Sequence, residues 1–136
     1  SVEGATGYLD TDYKAKAKKA LELLETHDIV YVHIEAPDEA SHNGDIGEKI
    51  KAIDSIDKEV IATLYEAAGE SVRFLIATDH ATPIAMKTHY ACPVPFIIFD
   101  KNRKRHGHPE GYDERAGDKV FTGEELIEYF LGGQPI

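Results

Sequence analysis

Three short segments carry residues that could bind a metal ion. Asp38 and His42 stand four residues apart, Asp79 and His80 are adjacent, and His89 ends the tripeptide Lys-Thr-His. In a helical turn, side chains four residues apart lie on one face, so Asp38 and His42 can serve one ion. Carboxylates and imidazoles are ligands for divalent ions such as Zn²⁺ and Mn²⁺. The residue types and spacing therefore predict a divalent metal site.

Each segment alone also has an ordinary structural interpretation. Asp38 and His42 could lie on a solvated helix surface, and Asp79 could be a turn residue beside a partly buried histidine. The metal site is favoured by the combination, because two of the segments directly follow predicted strands and the third lies in the loop before another strand. We therefore expect all five side chains to meet in one cleft.

The elements that must position these residues alternate between helices and short apolar strands. Hydrophobic periodicity and terminal signals predict helices over 13–26, from Asp45 to Gly69, and from Thr122 to Gly132-Gly133, and strands over 29–34, 72–77 and 94–99. Residues 1–12 and 100–121 are predicted loops, and Pro95 indicates an edge position or a bulge. This order predicts an α/β fold with a mainly parallel sheet and helices on both faces.

The two later helices have recognisable starting signals. Asp45 is followed three residues later by Glu48, and Thr122 by Glu125, which is the capping-box spacing. The apolar stripe predicted for the long helix consists of Ile50, Ile53, Ile56, Val60 and Leu64.

Composition limits the classes of partner. The 136 residues suffice for one domain with a core, and the net charge of −10 disfavours binding to nucleic acid or to anionic membranes. The basic clusters 14–19 and 101–105 are interpreted as solvated.

No apolar run approaches the length of a membrane span, no signal peptide is visible, and the one cysteine, Cys92, allows no internal disulfide. We expect a reducing, cytoplasmic setting.

Several strings resemble one enzyme family. HIEAPDEASHNGD, KIKAIDSIDKEV, ATDHATP and KTHYACPVPF occur in this order, and the resemblance runs from GATGYLDTDY near the start to TGEEL near the end. They are similar to the carboxyl-terminal part of cofactor-independent (2,3-bisphosphoglycerate-independent) phosphoglycerate mutases of the archaeal type, within the alkaline phosphatase superfamily. The resemblance implies a partial alkaline-phosphatase-like domain.

The resemblance also implies a two-metal centre of manganese or zinc. Asp38, His42 and His89 match the ligands of one ion, and Asp79 and His80 match two ligands of the other. In the family, an Asp and a nucleophilic Ser from a distant upstream segment complete the second ion. Residues 1–136 are therefore expected to be the C-terminal half of the metal-binding phosphatase-like domain, without the N-terminal half and the inserted domain, and to be inactive alone.

The implied reaction interconverts 3-phosphoglycerate and 2-phosphoglycerate through a phosphoserine intermediate, with the phosphoglycerate as partner. Lys87 is a candidate substrate-binding residue, while Ser41 is interpreted as a capping or solvated hydroxyl and not as the nucleophile. Two alternatives stay open: another phosphatase or phosphomutase of the same superfamily, and a noncatalytic metal-binding module.

Overall fold

The computed structural model describes residues 2–101, 112–114 and 119–132. Within the basic cluster 101–105, residues 102–105 lie outside the described residues, as does most of the predicted loop 100–121. The chain divides into two units, one formed by Ser1–Ala68 with Thr82–His89 and the other by Gly69–Ala81 with Tyr90–Ile136. Helices and strands both occur, so the fold is mixed α/β.

The first unit is helical. It contains α1 (Tyr13–Leu24), α2 (Ala36–Asn43), α3 (Ile46–Ser55), a π-helical segment (Ile56–Ile61) and α4 (Ala62–Ala67). The side chain of Asp12 caps α1 by accepting a hydrogen bond from the Ala15 N–H at 2.8 Å. The helix predicted over 13–26 is confirmed, with its end at Leu24.

The long predicted helix begins where its capping signal lies. Asp45 is the N-cap of α3, and its side chain accepts from the Glu48 N–H at 2.8 Å. The predicted apolar stripe is only partly buried, because Ile50 and Ile53 are 62% and 52% exposed while Val60 is buried. The π-helical segment follows these two isoleucines, and its wider turn shifts the faces of the helix before and after it by one residue.

One hydrophobic cluster holds the first unit together. Its buried members are Tyr13, Ala17, Ala36, Ala52 and Val60, and Leu9, Val32, Ile34, Ile56 and Leu64 pack against it. Four different helical elements contribute buried members, so burial of this cluster joins α1 and α2 to the long helix.

The prediction of a strand over 29–34 is wrong. Among the described residues, no strand or bridge includes this segment. A β-prone sequence forms a strand only when another strand pairs with it. The segment does keep the alternation of a strand. Val32 and Ile34 pack against the cluster of the first unit, whereas Ile29 and Tyr31 are 58% and 80% exposed.

The second unit contains a sheet and a helix. Strands β1 (Arg73–Ala77) and β2 (Phe96–Asp100) confirm two of the predicted strands within a few residues, and they pair antiparallel with Phe74 opposite Phe99. The expected mainly parallel sheet is therefore not found in the described residues. A parallel pair needs a crossover connection, usually a helix, and residues 78–95 include no helix.

The predicted start of the last helix is confirmed. Helix α5 (Gly123–Leu131) has a complete capping box, in which Thr122 and Glu125 each bond the other's backbone N–H. In the part of the chain that the structure describes, no helix has the length and apolar character to cross a membrane.

Candidate metal centre

Helix α2 places Asp38 and His42 on one face. Pro37 lies in the first turn, where its missing N–H leaves no bond unmade, and Gly44 ends the helix in the left-handed conformation at φ +76°. Asp38 stands in the first turn, where the N-terminal end of the helix favours a negative charge, and His42 stands in the last turn. His42 Nε2 lies 3.2 Å from Asp38 Oδ2, as the four-residue spacing predicts.

His89 joins this pair from the segment Thr82–His89 of the same unit. Its Nε2 lies 3.1 Å from His42 Nε2 and 3.7 Å from Asp38 Oδ2. The three residues together offer one ligand atom each, all within 4.8 Å of one another. Asp38 and His42 are half-buried and His89 is exposed, so the group opens to solvent on one side. The structure thus brings together three of the five predicted ligands.

The spacing of these three atoms fits a divalent ion. Ligands held about 2.0–2.2 Å from a zinc ion at tetrahedral angles lie roughly 3.3–3.6 Å from one another. The three observed separations of 3.1, 3.2 and 3.7 Å surround that range. The three side chains are therefore close enough together to hold one such ion.

The backbone of Lys87 sets the orientation of His42. His42 Nδ1 lies 3.0 Å from the Lys87 carbonyl oxygen, which can only accept, so Nδ1 carries the proton. In the neutral imidazole, Nε2 then presents its lone pair to the ligand group. Lys87 has a left-handed backbone at φ +54°, unusual for a residue with a side chain. This conformation belongs to the segment that delivers His89.

A hydroxyl that the sequence reasoning missed also contacts the group. Thr82 is 6% exposed, and its Oγ1 donates to Asp38 Oδ1 across 44 positions of sequence. A threonine that follows Asp79, His80 and Ala81 has no pattern that would single it out. Only the three-dimensional contact identifies it.

Asp79 and His80 stand together directly after β1, in the second unit. Asp79 Oδ1 accepts from the backbone N–H of His80 at 3.0 Å, and Asp79 Oδ2 lies 3.4 Å from His80 Nε2. The two residues follow the end of a strand as the sequence analysis predicts. Their role at a second ion stays a prediction.

Ser41 and Lys87, which the sequence analysis also considers, each form a hydrogen bond to a backbone carbonyl. Ser41 is fully buried and its hydroxyl donates to the Pro37 carbonyl one turn earlier, at 2.7 Å, which agrees with a structural role and corrects the expectation of a capping or solvated hydroxyl. The Lys87 ammonium is exposed and donates to the Asn43 carbonyl at 3.2 Å. Binding of substrate by Lys87 stays a prediction.

Curated relatives are similar to this chain over most of its length. A probable 2,3-bisphosphoglycerate-independent phosphoglycerate mutase from Geobacter sulfurreducens is 45% identical over 96% of this chain and 34% of its own length. A 2,3-bisphosphoglycerate-independent phosphoglycerate mutase from Methanothrix thermoacetophila is 50% identical over 97% of this chain and 35% of its own length. The chain thus spans about a third of the length of these curated relatives.

A solved structure and a family model extend the comparison. The PH0037 protein from Pyrococcus horikoshii matches with a TM-score of 0.86 and 30% identity, over 96% of this chain and 41% of that protein. The family model of the metalloenzyme superfamily matches residues 1–125, nearly the whole sequence. The chain belongs to the metalloenzyme superfamily.

Proposed function

We propose that this chain is part of a phosphoglycerate mutase and supplies ligands of its metal centre. The observation that carries the proposal is the convergence of Asp38, His42 and His89 in a chain whose relatives are named as such mutases. The substrates are 3-phosphoglycerate and 2-phosphoglycerate, interconverted through a phosphoserine. The nucleophilic serine belongs to the part of the relatives' length that this chain does not span.

Asp38, His42 and His89 would hold one divalent ion, and Asp79 and His80 would supply ligands to a second. Manganese and zinc both suit this set of carboxylates and imidazoles. Such ions lower the pKa of a bound hydroxyl and balance the charge of a transferring phosphoryl group. The chain itself carries a net charge of −10, and bound ions would supply the positive charge that a phosphate ester needs at the site. Asp38 and His42 are held by hydrogen bonds to the protein before any ion binds.

We further propose that residues 1–136 form the C-terminal half of an alkaline-phosphatase-like domain. The segment 29–34 supports this, because its alternating exposure is that of a strand and it has no strand partner among the described residues. Exposed Ile46, Ile50 and Ile53 form an apolar face on α3. A mainly parallel sheet, with a partner strand beside 29–34, would complete the domain using the rest of the relatives' length.

A reducing, cytoplasmic setting agrees with this proposal. Cys92 is free and exposed, which favours a compartment where thiols stay reduced. The net charge of −10 disfavours nucleic acid and anionic membranes as partners, and a small phosphate ester is tolerated at the site because bound ions supply the positive charge.

Metal binding tests the ligand assignment directly. We expect a titration of the chain with Mn²⁺ or Zn²⁺ to reveal one weak site, which His42→Ala and His89→Ala abolish. His33→Ala is the matched control, because His33 is exposed in the same unit and pairs with Glu35 at 3.5 Å, outside the ligand group. Equal binding by His89→Ala and His33→Ala would refute the assignment.

Activity tests the substrate. The complete gene product is supplied with 3-phosphoglycerate and Mn²⁺, and enolase consumes the 2-phosphoglycerate that is formed. We expect turnover that Asp38→Ala eliminates. Turnover of other phosphate esters with none of 3-phosphoglycerate would favour a different phosphatase or phosphomutase, and metal binding without any turnover would favour a noncatalytic module.

A further inference from the structure

Thr82 links the segment that carries His89 to helix α2. Its side chain is buried at 6% exposure, and its Oγ1 donates to Asp38 Oδ1. Its carbonyl accepts from the Lys49 ammonium on α3 at 3.1 Å. The residue is therefore held from two sides, by the helix that bears two ligands and by the helix that follows it.

The two oxygens of the Asp38 carboxylate have different partners. Oδ1 takes the hydroxyl of Thr82, and Oδ2 faces the Nε2 atoms of His42 and His89 at 3.2 and 3.7 Å. The terminal torsion of an aspartate is broad, so a free carboxylate would rotate its oxygens among several positions. A hydroxyl bonded to a charged acceptor makes one of the stronger hydrogen bonds, and the bond to Oδ1 restricts that rotation. Oδ2 is thereby kept within the ligand group.

We propose that Thr82 is a positioning residue that holds the Asp38 carboxylate in the orientation needed to bind the ion. The inference rests on the proposed metal centre and deepens it, because it assigns the group that orients one of its ligands. Thr82 acts on the same centre as the Lys87 carbonyl, which orients His42. Two of the three ligands are thus each held by a hydrogen bond with the segment Thr82–His89, in which Thr82 donates to Asp38 and the Lys87 carbonyl accepts from His42.

Two pairs of variants isolate the hydroxyl. The side chains of threonine and valine have nearly the same shape and differ in the hydroxyl, so wild type is compared with Thr82→Val. Serine and alanine differ in the hydroxyl alone, so Thr82→Ser is compared with Thr82→Ala. If Thr82→Val proves unstable at this buried position, the serine and alanine pair makes the same comparison. Urea unfolding of each variant shows which of them remain folded.

The measurement is a titration of the chain with Co²⁺ alone, followed by visible absorption. The position and intensity of the cobalt bands report the ligand geometry, which a purely structural role of Thr82 would leave unchanged in a folded variant. Loss of a residue that orients a ligand typically weakens metal binding 10–100-fold. We expect a loss of this order and altered bands in Thr82→Val and Thr82→Ala, with Thr82→Ser close to wild type.

The outcomes separate this inference from the proposed function. Folded Thr82→Val and Thr82→Ala that bind Co²⁺ like wild type, with unchanged bands, would overturn the positioning role and leave the metal centre standing. A wild-type chain that binds no Co²⁺ would overturn the metal centre, and the role of Thr82 with it.

Discussion

The ammonium end of the Lys87 side chain lies against the backbone of Gly44 and donates to the neighbouring Asn43 carbonyl. A Cβ placed on Gly44 would overlap the Lys87 Cε and would lie 2.6 Å from its Nζ. Gly44 ends the helix that carries Asp38 and His42, and Lys87 belongs to the segment that carries His89. The contact between these two residues therefore joins the end of α2 to the segment that carries His89.

Gly44→Ala is expected to destabilise the chain. The left-handed backbone at φ +76° costs a residue with a Cβ about 1–2 kcal/mol, whereas the flexible end of the exposed Lys87 side chain can move away from an added Cβ at little cost. Gly123→Ala is the matched control, because Gly123 lies in the first turn of α5 with no atom within 4 Å of an added Cβ. That variant should be neutral or up to about 1 kcal/mol more stable. Urea unfolding followed by far-UV circular dichroism measures both, and equal stabilities would contradict the cost assigned to the left-handed backbone.

Tyr13→Phe is expected to preserve or raise stability. Among the described residues, the buried Tyr13 hydroxyl has no hydrogen-bond partner, so phenylalanine removes a polar group whose burial is uncompensated. Ser41→Ala provides the contrast, since its buried hydroxyl donates to Pro37 and its loss should cost about 1 kcal/mol. The prediction fails if Tyr13→Phe lowers the free energy of unfolding as much as Ser41→Ala does.

The Tyr13 hydroxyl should also respond to alkaline pH. Burial raises the pKa of Tyr13 above its ordinary value of 10.0, with smaller contributions from Glu59 and Asp10. The folded pKa exceeds the unfolded one, so the folded state favours the protonated hydroxyl. The stability of the protonated form is intact below pH 10 and is lost as the pH rises through the folded pKa. The free energy of unfolding should therefore decrease more between pH 9 and a pH above 10 for wild type than for Tyr13→Phe. Parallel decreases would count against the raised pKa.

The capping box of α5 should weaken in acid. Hydrogen bonds from the backbone and side chain of Thr122 lower the pKa of the Glu125 carboxyl below its ordinary value of 4.5. Its contribution is therefore present above the unfolded pKa and is lost as the pH falls through the lower, folded pKa. Glu125→Gln cannot ionise, so the difference in stability between wild type and this variant should shrink below pH 4.5. A constant difference across that range would exclude the charged form as the stabilising one.

The 136-residue chain alone should have no mutase activity at any Mn²⁺ concentration. It spans about a third of its relatives' length, and the proposed nucleophilic serine lies beyond it. Ser41 is fully buried and bonded to the Pro37 carbonyl, so its hydroxyl is not accessible to a phosphate ester. The enolase-coupled assay measures the turnover. Activity retained after removal of contaminating full-length enzyme would contradict the prediction, and Ser41 and Thr78 would then be the first hydroxyls to replace.

Local features were predictable from the sequence. Asp45 and Thr122 cap helices where their spacing to Glu48 and Glu125 indicates, because a cap involves only neighbouring residues. The pair Asp38 and His42 was equally accessible, since one helical turn brings the two side chains together.

Features that depend on distant parts of the chain were not predictable from the sequence. The segment 29–34 has the composition of a strand, but pairing requires a second strand that local sequence does not specify. The contact between Thr82 and Asp38 joins residues 44 positions apart, and a hydroxyl has no preferred partner at such a distance. The approach of His89 to His42 was expected from a combination of motifs, and its distances follow only from the folded chain.

The π-helical segment Ile56–Ile61 has a consequence for how sequences of this kind are aligned. Its wider turn accommodates one residue more than an α-helix would use between the same two packed ends. A protein with one residue fewer at this point can keep both ends in place by returning to ordinary α-helical hydrogen bonding. A single-residue gap within 56–61 is therefore compatible with an unchanged fold, whereas the same gap inside α3 would rotate every residue on one side of it by about 100°.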